Sequence, residues 1–304
     1  MTLKSCLKSM RLRTLPLSLS GVVLGACIAF SGHFQPSTFH VPLFLLLLST
    51  TALLQVLSNL SNELGDTLHG TDTADRQGIR YSLQDGDMTV PQMKRLIAFV
   101  AVCCALSGVG MIVCSFGTLW AVEPLLLVLL GAAAMAAAIR YTLGRNPYGY
   151  RGWGDLFVFI FFGLVSVCGG YYVCSHDLSH LLILLPGSAV GLFSIGVLNV
   201  NNIRDMKTDA ATRTTVALML GIRRARIYQT LLIAAGWAAM LLYTALTATR
   251  WTAWLYLLTL PLYVKHLHGV WHREDRALDP LLPLLVVSTF LFALLAGVGM
   301  LLAA

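Results

Sequence analysis

The sequence predicts an all-α polytopic membrane protein with nine transmembrane helices and a cytoplasmic N-terminus. Three observations carry that expectation. Hydrophobic residues make up 57% of the 304-residue chain and charged ones 12%, with a mean hydropathy of +0.75. Apolar runs of about 20 residues, the length needed to cross a bilayer, recur along it. The basic residues collect on one side of those runs. A charged fraction about half the ~25% of soluble chains leaves too few polar side chains to coat a surface in water. A soluble enzyme, a disordered chain and a secreted disulfide scaffold are thereby excluded.

The apolar runs fall at about 14–32, 41–63, 95–117, 121–141, 155–175, 180–203, 226–247, 251–271 and 281–303. Only Thr249 and Arg250 mark the turn between the seventh and eighth, whereas 64–94 is a long polar connection. The first run, with Leu24-Gly25-Ala26-Cys27 inside it, resembles a lipoprotein leader, but eight further spans make it a permanent helix. An odd number of spans puts the termini on opposite sides. The N-terminus and the connections after spans 2, 4, 6 and 8 then hold 20 of the 21 basic residues, Arg250 alone lying opposite. The positive-inside rule makes that face cytoplasmic. The net charge of +7 is thus a property of loops, which argues against a nucleic-acid partner, and no protein partner is evident. Cys6, Cys27, Cys103, Cys104, Cys114, Cys168 and Cys174 lie mostly inside apolar runs and read as small buried hydrophobes.

Twelve of the fourteen carboxylates share the basic face, only Glu123 and Asp177 lying outside it. The positive-inside rule does not demand this. Span 2 ends in Asn62-Glu63-Leu64-Gly65-Asp66, followed by Gly70 and Asp72; span 6 ends in Asn201-Asn202-Ile203-Arg204-Asp205, followed by Asp209. In both an Asn precedes an Asp by four residues, just over one helical turn, so each pair shares a face. The two copies stand 139 positions apart. The chain 1–304 reads as one membrane domain, with related halves at about 1–140 and 141–304. Polar groups at the hydrocarbon edge are costly and mark function by default. Oxygen-only ligands without His or Cys suit a hard cation, and Mg²⁺ bridges carboxylates to phosphate oxygens. With Arg76, Arg80, Lys94, Arg204, Lys207 and Arg213 nearby, the pattern fits a diphosphate held by metal on one side and cationic side chains on the other. A diphosphate at the head of an apolar bundle implies a lipid tail running into it.

With these residues in view, the chain resembles the UbiA-type intramembrane aromatic prenyltransferases over nearly its whole length. The resemblance begins at Arg11-Leu12-Arg13-Thr14-Leu15-Pro16 and Gln55-Val56-Leu57-Ser58-Asn59. It continues through Asn62, Asp66, Gly70 and Asp72, matching the family's Asn-x-x-x-Asp-x-x-x-Gly-x-Asp, and through Arg80, Gln84 and Gly86. Tyr141-Thr142-x-Gly144, Pro147-Tyr148-Gly149-Tyr150 and Gly154-Asp155 look like the naphthoate-prenylating subgroup, and Asn201 to Asp209 resembles the second acidic motif. One departure stands out: Asp209-Ala210-Ala211-Thr212-Arg213 lacks the family's Gly and is one residue shorter, with Arg213 at the position of its Lys.

The resemblance implies a central cavity and an Mg²⁺-dependent transfer of a polyprenyl group from polyprenyl diphosphate to 1,4-dihydroxy-2-naphthoate with loss of the ring carboxylate, in a bacterial inner membrane. It implies Asn62, Asp66 and Asp72 on one side of the metal site and Asn201, Asp205 and Asp209 on the other. Arg80, Lys94, Arg145, Lys207 and Arg213 would neutralise the diphosphate, and the ring of Tyr141 would face the allylic cation. Asp155 would orient the acceptor or a basic side chain, or cap span 5. Tyr148 and Tyr150 read as interfacial anchors in preference to acceptor contacts, and Phe157, Phe159, Phe161 and Phe162 as lining for a prenyl tunnel or, for most of them, lipid-facing packing. His266, His268 and His272 read as protonatable surface residues. The alternatives are a 4-hydroxybenzoate or haem prenyltransferase and, in another class, a cation-coupled transporter.

Overall fold

Backbone groups in hydrocarbon must find their hydrogen bonds within their own segment, and the apolar runs accordingly fold as helices. The computed structural model describes residues 2–32, 39–70, 80–210 and 212–303; Asp72 and Arg76 lie outside the described residues. In chain order the helices are α1 (Leu3–Met10), α2 (Leu15–Phe30), α3 (Val41–Leu68), α4 (Val90–Phe116), α5 (Val122–Arg140), α6 (Gly154–Val158), α7 (Ser166–Ser175), α8 (Leu184–Arg204), α9 (Met206–Asp209), α10 (Val216–Leu220), α11 (Ile222–Thr247), α12 (Leu260–His272) and α13 (Leu281–Ala303). A π-helical stretch, Phe159–Val165, joins α6 to α7 into one continuous span.

Among the described residues, eight helices are long and apolar enough to cross a membrane. The ninth expected span, 251–271, is helical in two pieces, a 3-10 stretch Trp251–Thr259 and then α12. It is not one of the eight, because Lys265, His266 and His268 interrupt its apolar run. The short helix α1 lies ahead of the first expected span. Thr2 and Ser5 close a capping box on it, each satisfying the other's free backbone N–H.

The core explains how the helix ends are held. Helix α2 packs between α7 and α13, and α8 against α11 and the π-helical stretch. A large apolar cluster joins Leu24 and Ile28 of α2 to Tyr171, Phe193, Trp237, Tyr243, Tyr256, Tyr263 and Phe292. Rings there meet edge-on, as Phe193 and Phe292 do at 5.1 Å and 90°. A second cluster packs α1 and α3 on α4 through Cys6, Leu57, Leu60, Leu64, Met93 and Leu96. By contrast Phe99, Leu106, Leu126 and Leu129 of α4 and α5 stay exposed, an apolar face that matches lipid.

Helix α3 is 28 residues long, about 42 Å at 1.5 Å per residue. It therefore carries Asn62 and Asp66 on its final turns. Helix α8 stops at Arg204, yet Asp205 N–H donates to Asn201 O (3.0 Å), Asp209 N–H to Asp205 O (2.9 Å) and Arg213 N–H to Asp209 O (3.0 Å). This ladder keeps the second motif in register across the break. Thr214 N–H donates to Tyr150 O at 2.9 Å, tying the connection after α5 to the loop after the second motif.

Glycine at position 25 lets α2 and α7 touch. A Cβ there would overlap the Val167 carbonyl oxygen and approach Tyr171 N to 2.9 Å, both backbone atoms, whereas a Cβ at Gly169 meets nothing within 4 Å. Overpacking of a buried contact costs about 1–3 kcal/mol. Gly25→Ala is expected to lower the thermal unfolding midpoint in detergent and Gly169→Ala to leave it unchanged.

Candidate active site

The first wall of the site is the end of α3. Thr142, just past α5, lies so close to α3 that a side chain at Gly65 would collide with it. Its Oγ1 donates toward Ser61 O (3.0 Å) and Asn62 Oδ1 (3.2 Å), fixing the Asn62 amide. Tyr150 OH donates to Asp66 Oδ1 at 2.7 Å, and His69 packs perpendicular to the Tyr150 ring at 5.4 Å. On the opposite face of the helix, buried Glu63 accepts from Leu83 N–H at 2.8 Å and pins the connection beyond Arg80.

The second wall is the end of α8. Arg204 donates from Nε to Asp205 Oδ1 (2.8 Å), from Nη2 to Asp205 Oδ2 (2.6 Å) and Asn201 Oδ1 (2.9 Å), and from Nη1 to Asp279 Oδ1 (2.6 Å). Such a fork matches a carboxylate in geometry as well as charge. Arg213 reaches back through Nε to Asp209 Oδ1 at 3.0 Å. Burial works against the charge of Arg213, but the carboxylates of Asp66 and Asp209 outweigh it and hold the guanidinium above its usual pKa. One acid of each motif therefore acts on this one cation.

Both walls open on a cavity of about 270 Å³, lined among others by Asn62, Asp66, Tyr141, Asp155, Asn201 and Arg213. Arg11, Arg13 and Arg204 line it too. Arg11 stacks on the Tyr81 ring, 3.8 Å from its centroid, and Arg13 Nη2 donates to Tyr81 OH at 2.8 Å. A second cavity of about 250 Å³ shares Asn62, Tyr141, Val158, Phe162 and Leu198 with the first. Its other walls are largely apolar, with Leu54, Ala134, Ala138, Tyr148, Phe157 and Phe161. A charged chamber thus runs into a greasy one, with Asn62 and Tyr141 at the junction. The π-helical stretch carries Phe161 and Phe162 to this wall; its wider turns are frequent at functional sites.

Asp205 and Asp209 are buried behind the guanidinium groups that face the cavity, and Asp72 is outside the described residues. Asp155 sits at the start of α6 and accepts from Tyr228 OH at 2.9 Å through Oδ2. Of the basic residues expected at a diphosphate, Arg213 lines the cavity. Arg80 instead pairs with Asp85 (2.9 Å), Lys207 with Asp275 (2.6 Å), and Lys94 and Arg145 are exposed. Arg11, Arg13, Tyr81 and Thr142 enter the site without having been singled out for it. Their sequence signal was an Arg-x-Arg on the basic face immediately before the first span.

Three other expectations are corrected. Tyr150 is bound to Asp66, and Tyr148 lines the apolar cavity, its OH donating to Ala137 O at 2.8 Å and its ring stacking on Phe157 at 4.0 Å. Phe157, Phe161 and Phe162 line the apolar cavity, as a tunnel would require, while Phe159 packs against Gly191. His266 is fully buried, contacting Gln229 Nε2 and Leu281 O at 3.1 Å each, because α12 turns that face toward α11 and α13. His272 is exposed and packs on His268, with ring centroids 4.1 Å apart.

Arg204 and Asp205 have side chains 5% and 0% exposed. Removing one partner of a buried pair strands the other charge at a cost of about 3–5 kcal/mol. Arg204→Ala is expected to fail to accumulate as folded protein, or to melt far below the parent in detergent. Arg204→Lys, which keeps the charge but loses the fork, is expected to fall between them.

Among the described residues no three His, Cys, Asp or Glu side chains form a metal cluster. The oxygen-bearing side chains that line the polar cavity include Asn62, Asp66 and Asn201, carboxylate and amide groups of the hard kind that suit Mg²⁺ when phosphate oxygens and water complete its shell. The donor set therefore fits such an ion.

The model of the UbiA prenyltransferase family matches residues 18–294. The chain is 37% identical to the 1,4-dihydroxy-2-naphthoate octaprenyltransferase of Escherichia coli, over 96% of this chain and 94% of that one. It is 35% identical to the enzyme of that name from Haemophilus influenzae, over 98% and 96%. Among solved structures it resembles the apo UbiA homologue from Aeropyrum pernix K1 (TM-score 0.72, 17% identity, 95% and 98% of the two chains). It also resembles an Archaeoglobus fulgidus homologue bound to GPP and Mg²⁺ (TM-score 0.65, 13% identity, 96% and 99%). The chain belongs to the UbiA prenyltransferase family.

Proposed function

We propose that this protein transfers a polyprenyl group from polyprenyl diphosphate to 1,4-dihydroxy-2-naphthoate, with the ring carboxylate leaving as CO₂, and so makes demethylmenaquinol, the reduced form of demethylmenaquinone. The observation that carries this is the joining of an arginine-lined polar chamber to an apolar one at Asn62 and Tyr141. A diphosphate headgroup fits the first and its isoprenoid tail the second. The names and the 37% and 35% identity of the bacterial relatives support naphthoate as the acceptor. The basic face, and with it the mouth of the polar chamber, would lie on the cytoplasmic side of the inner membrane.

In the reaction a carbon–carbon bond forms to the aromatic ring as the allylic C–O bond breaks and diphosphate departs. Mg²⁺, held by Asn62, Asp66, Asp72, Asn201, Asp205 and Asp209, would supply charge neutralisation at the leaving group. Arg11, Arg13 and Arg213 then meet the negative charge that grows on the departing oxygens, at fixed positions in a water-poor chamber where such contacts are strongest. Tyr141, at the junction, presents its ring to the allylic carbon, where a π face stabilises positive charge. The apolar walls around Phe157, Phe161 and Phe162 keep water from that carbon. Asp155, anchored by Tyr228, offers a carboxylate to an acceptor hydroxyl. Arg80, Lys94, Arg145 and Lys207 would act at the chamber mouth. A cation transporter is disfavoured, since Arg11, Arg13, Arg204 and Arg213 line the path a bare cation would take.

Incubating membranes with dihydroxynaphthoate, 4-hydroxybenzoate and an isoprenoid diphosphate series, then identifying products by mass, tests the assignment. Prenylated naphthoquinol is the expected product, and a 4-hydroxybenzoate adduct in its place overturns it. Asp66→Ala is expected to lower turnover by about a hundredfold or more with the protein still folded. Ala138→Phe, which fills the apolar cavity, is expected to depress transfer of long chains far more than of geranyl.

A further inference from the structure

Five side chains of the two acidic motifs, Asn62, Asp66, Asn201, Asp205 and Asp209, are already contacted by donors of this chain. Thr142 donates to Asn62 (3.2 Å), Tyr150 to Asp66 (2.7 Å), and Arg204 to Asn201 (2.9 Å) and Asp205 (2.8 and 2.6 Å). Arg213 pairs with Asp209 at 3.0 Å. A divalent ion drawn to these oxygens competes with those donors and with the Arg213 charge, so its entry is an exchange and not a filling of empty space.

The two arginines differ in how firmly they hold. Arg204 spends Nε, Nη1 and Nη2 on three side chains. Arg213 makes its ion pair through Nε at 3.0 Å, yet neither its buried Nε nor its buried Nη2 makes a hydrogen bond among the described residues. Its guanidinium carbon lies 5.4 Å from the centroid of the Tyr150 ring, the ring whose hydroxyl holds Asp66. It lines the polar chamber, and it is acted on by Asp66 from one motif and Asp209 from the other. Among these donors it is the cation placed between the walls.

We infer that Arg213 is a resident counter-ion of the metal site, one that occupies the place of the divalent ion until a diphosphate draws it away. The inference rests on the diphosphate reading above. Carboxylates facing one another in a poorly screened chamber repel unless a cation lies between them, and Arg213 supplies it internally. A free divalent ion must displace that cation into a chamber already lined by Arg11, Arg13 and Arg204, which is unfavourable. A diphosphate changes the balance, because its oxygens accept the planar guanidinium fork. The carboxylates are then released for the metal while net charge stays compensated. Metal and diphosphate thus favour each other's binding, and the coupling is reciprocal.

The test uses Mn²⁺ as the probe, titrated into the detergent-solubilised full-length protein and followed by the electron paramagnetic resonance of the free ion, with and without inorganic diphosphate. Arg213→Gln is expected to bind Mn²⁺ alone about tenfold tighter than the parent and to lose most of the gain that diphosphate gives the parent. Arg250→Gln, which removes an exposed cation at the far end of the bundle whose Nη1 donates to Leu302 O at 3.5 Å, is expected to match the parent. Arg213→Met keeps the apolar stem against Tyr150 and carries the same expectation should the Gln variant fold poorly. Unchanged Mn²⁺ affinity in both Arg213 variants, or an equal rise in Arg250→Gln, overturns the inference. Diphosphate-dependent Mn²⁺ uptake by the parent then leaves the transferase reading intact. No uptake by the parent under either condition overturns both.

Discussion

Charge compensation where two helices end at the edge of the hydrocarbon is the constraint on which the rest of the structure depends. A carboxylate in that position cannot rely on water, so it needs a cation or several hydrogen-bond donors close by. Here the compensation is built from within. Arg204 grips Asp205 with two nitrogens, Arg213 reaches between Asp66 and Asp209, and Tyr150 caps Asp66. The Arg204 and Asp209 pairs are local, but Tyr150 ties Asp66 of α3 to the connection after α5, and Arg204 extends from Asp205 to Asp279, so satisfying the acids also joins distant segments.

The fold around this seam divides its labour. The aromatic cluster of Phe193, Trp237, Tyr263 and Phe292 packs α8, α11, α12 and α13 without gaps and gives the end of α8 a rigid base. Buried Asn199 adds a polar tie, donating to Gln229 Oε1 at 2.9 Å, and Gln229 in turn contacts His266. Opposite, α3 is anchored through Glu63, through Thr142 and through the Gln55–Asn59 pair, whose amides reach Thr14. Between these two supports the helices part just enough to leave the chambers. Their lining changes from arginine and amide to phenylalanine and alanine at Asn62 and Tyr141, which is the polarity profile of an amphiphile bearing an anionic head.

Much of this was legible in the chain because it depends on local rules. Apolar runs give helices irrespective of their neighbours, and the four-residue Asn–Asp spacing puts both groups on one helical face, so the elements and the two acidic ends could be read directly. Distal cations were harder. Arg80 and Lys207 lie near the motifs in sequence, yet each has an exposed carboxylate, Asp85 and Asp275, closer to hand. Arg11 and Arg13 lie far from them in sequence and still line the chamber, carried there by α2 packing against α7 and α13. Tyr148, Tyr150 and His266 resemble interfacial residues by type, since an aromatic ring with a polar tip suits a membrane boundary as well as a buried hydrogen bond.

The amino-acid sequence by itself determined that the chain crosses a membrane as helices, which face carries its charge, and that two matched oxygen-bearing helix ends share that face. Those properties follow from hydropathy and helical periodicity, which act within one segment. Only the tertiary structure decided which cations meet those oxygens, which phenylalanines look into a chamber and which into lipid, and that Arg213 lies between the motifs. Such outcomes depend on how helices far apart in the chain rotate and cross, and the energy that fixes them is spread over packing contacts that no single segment contains.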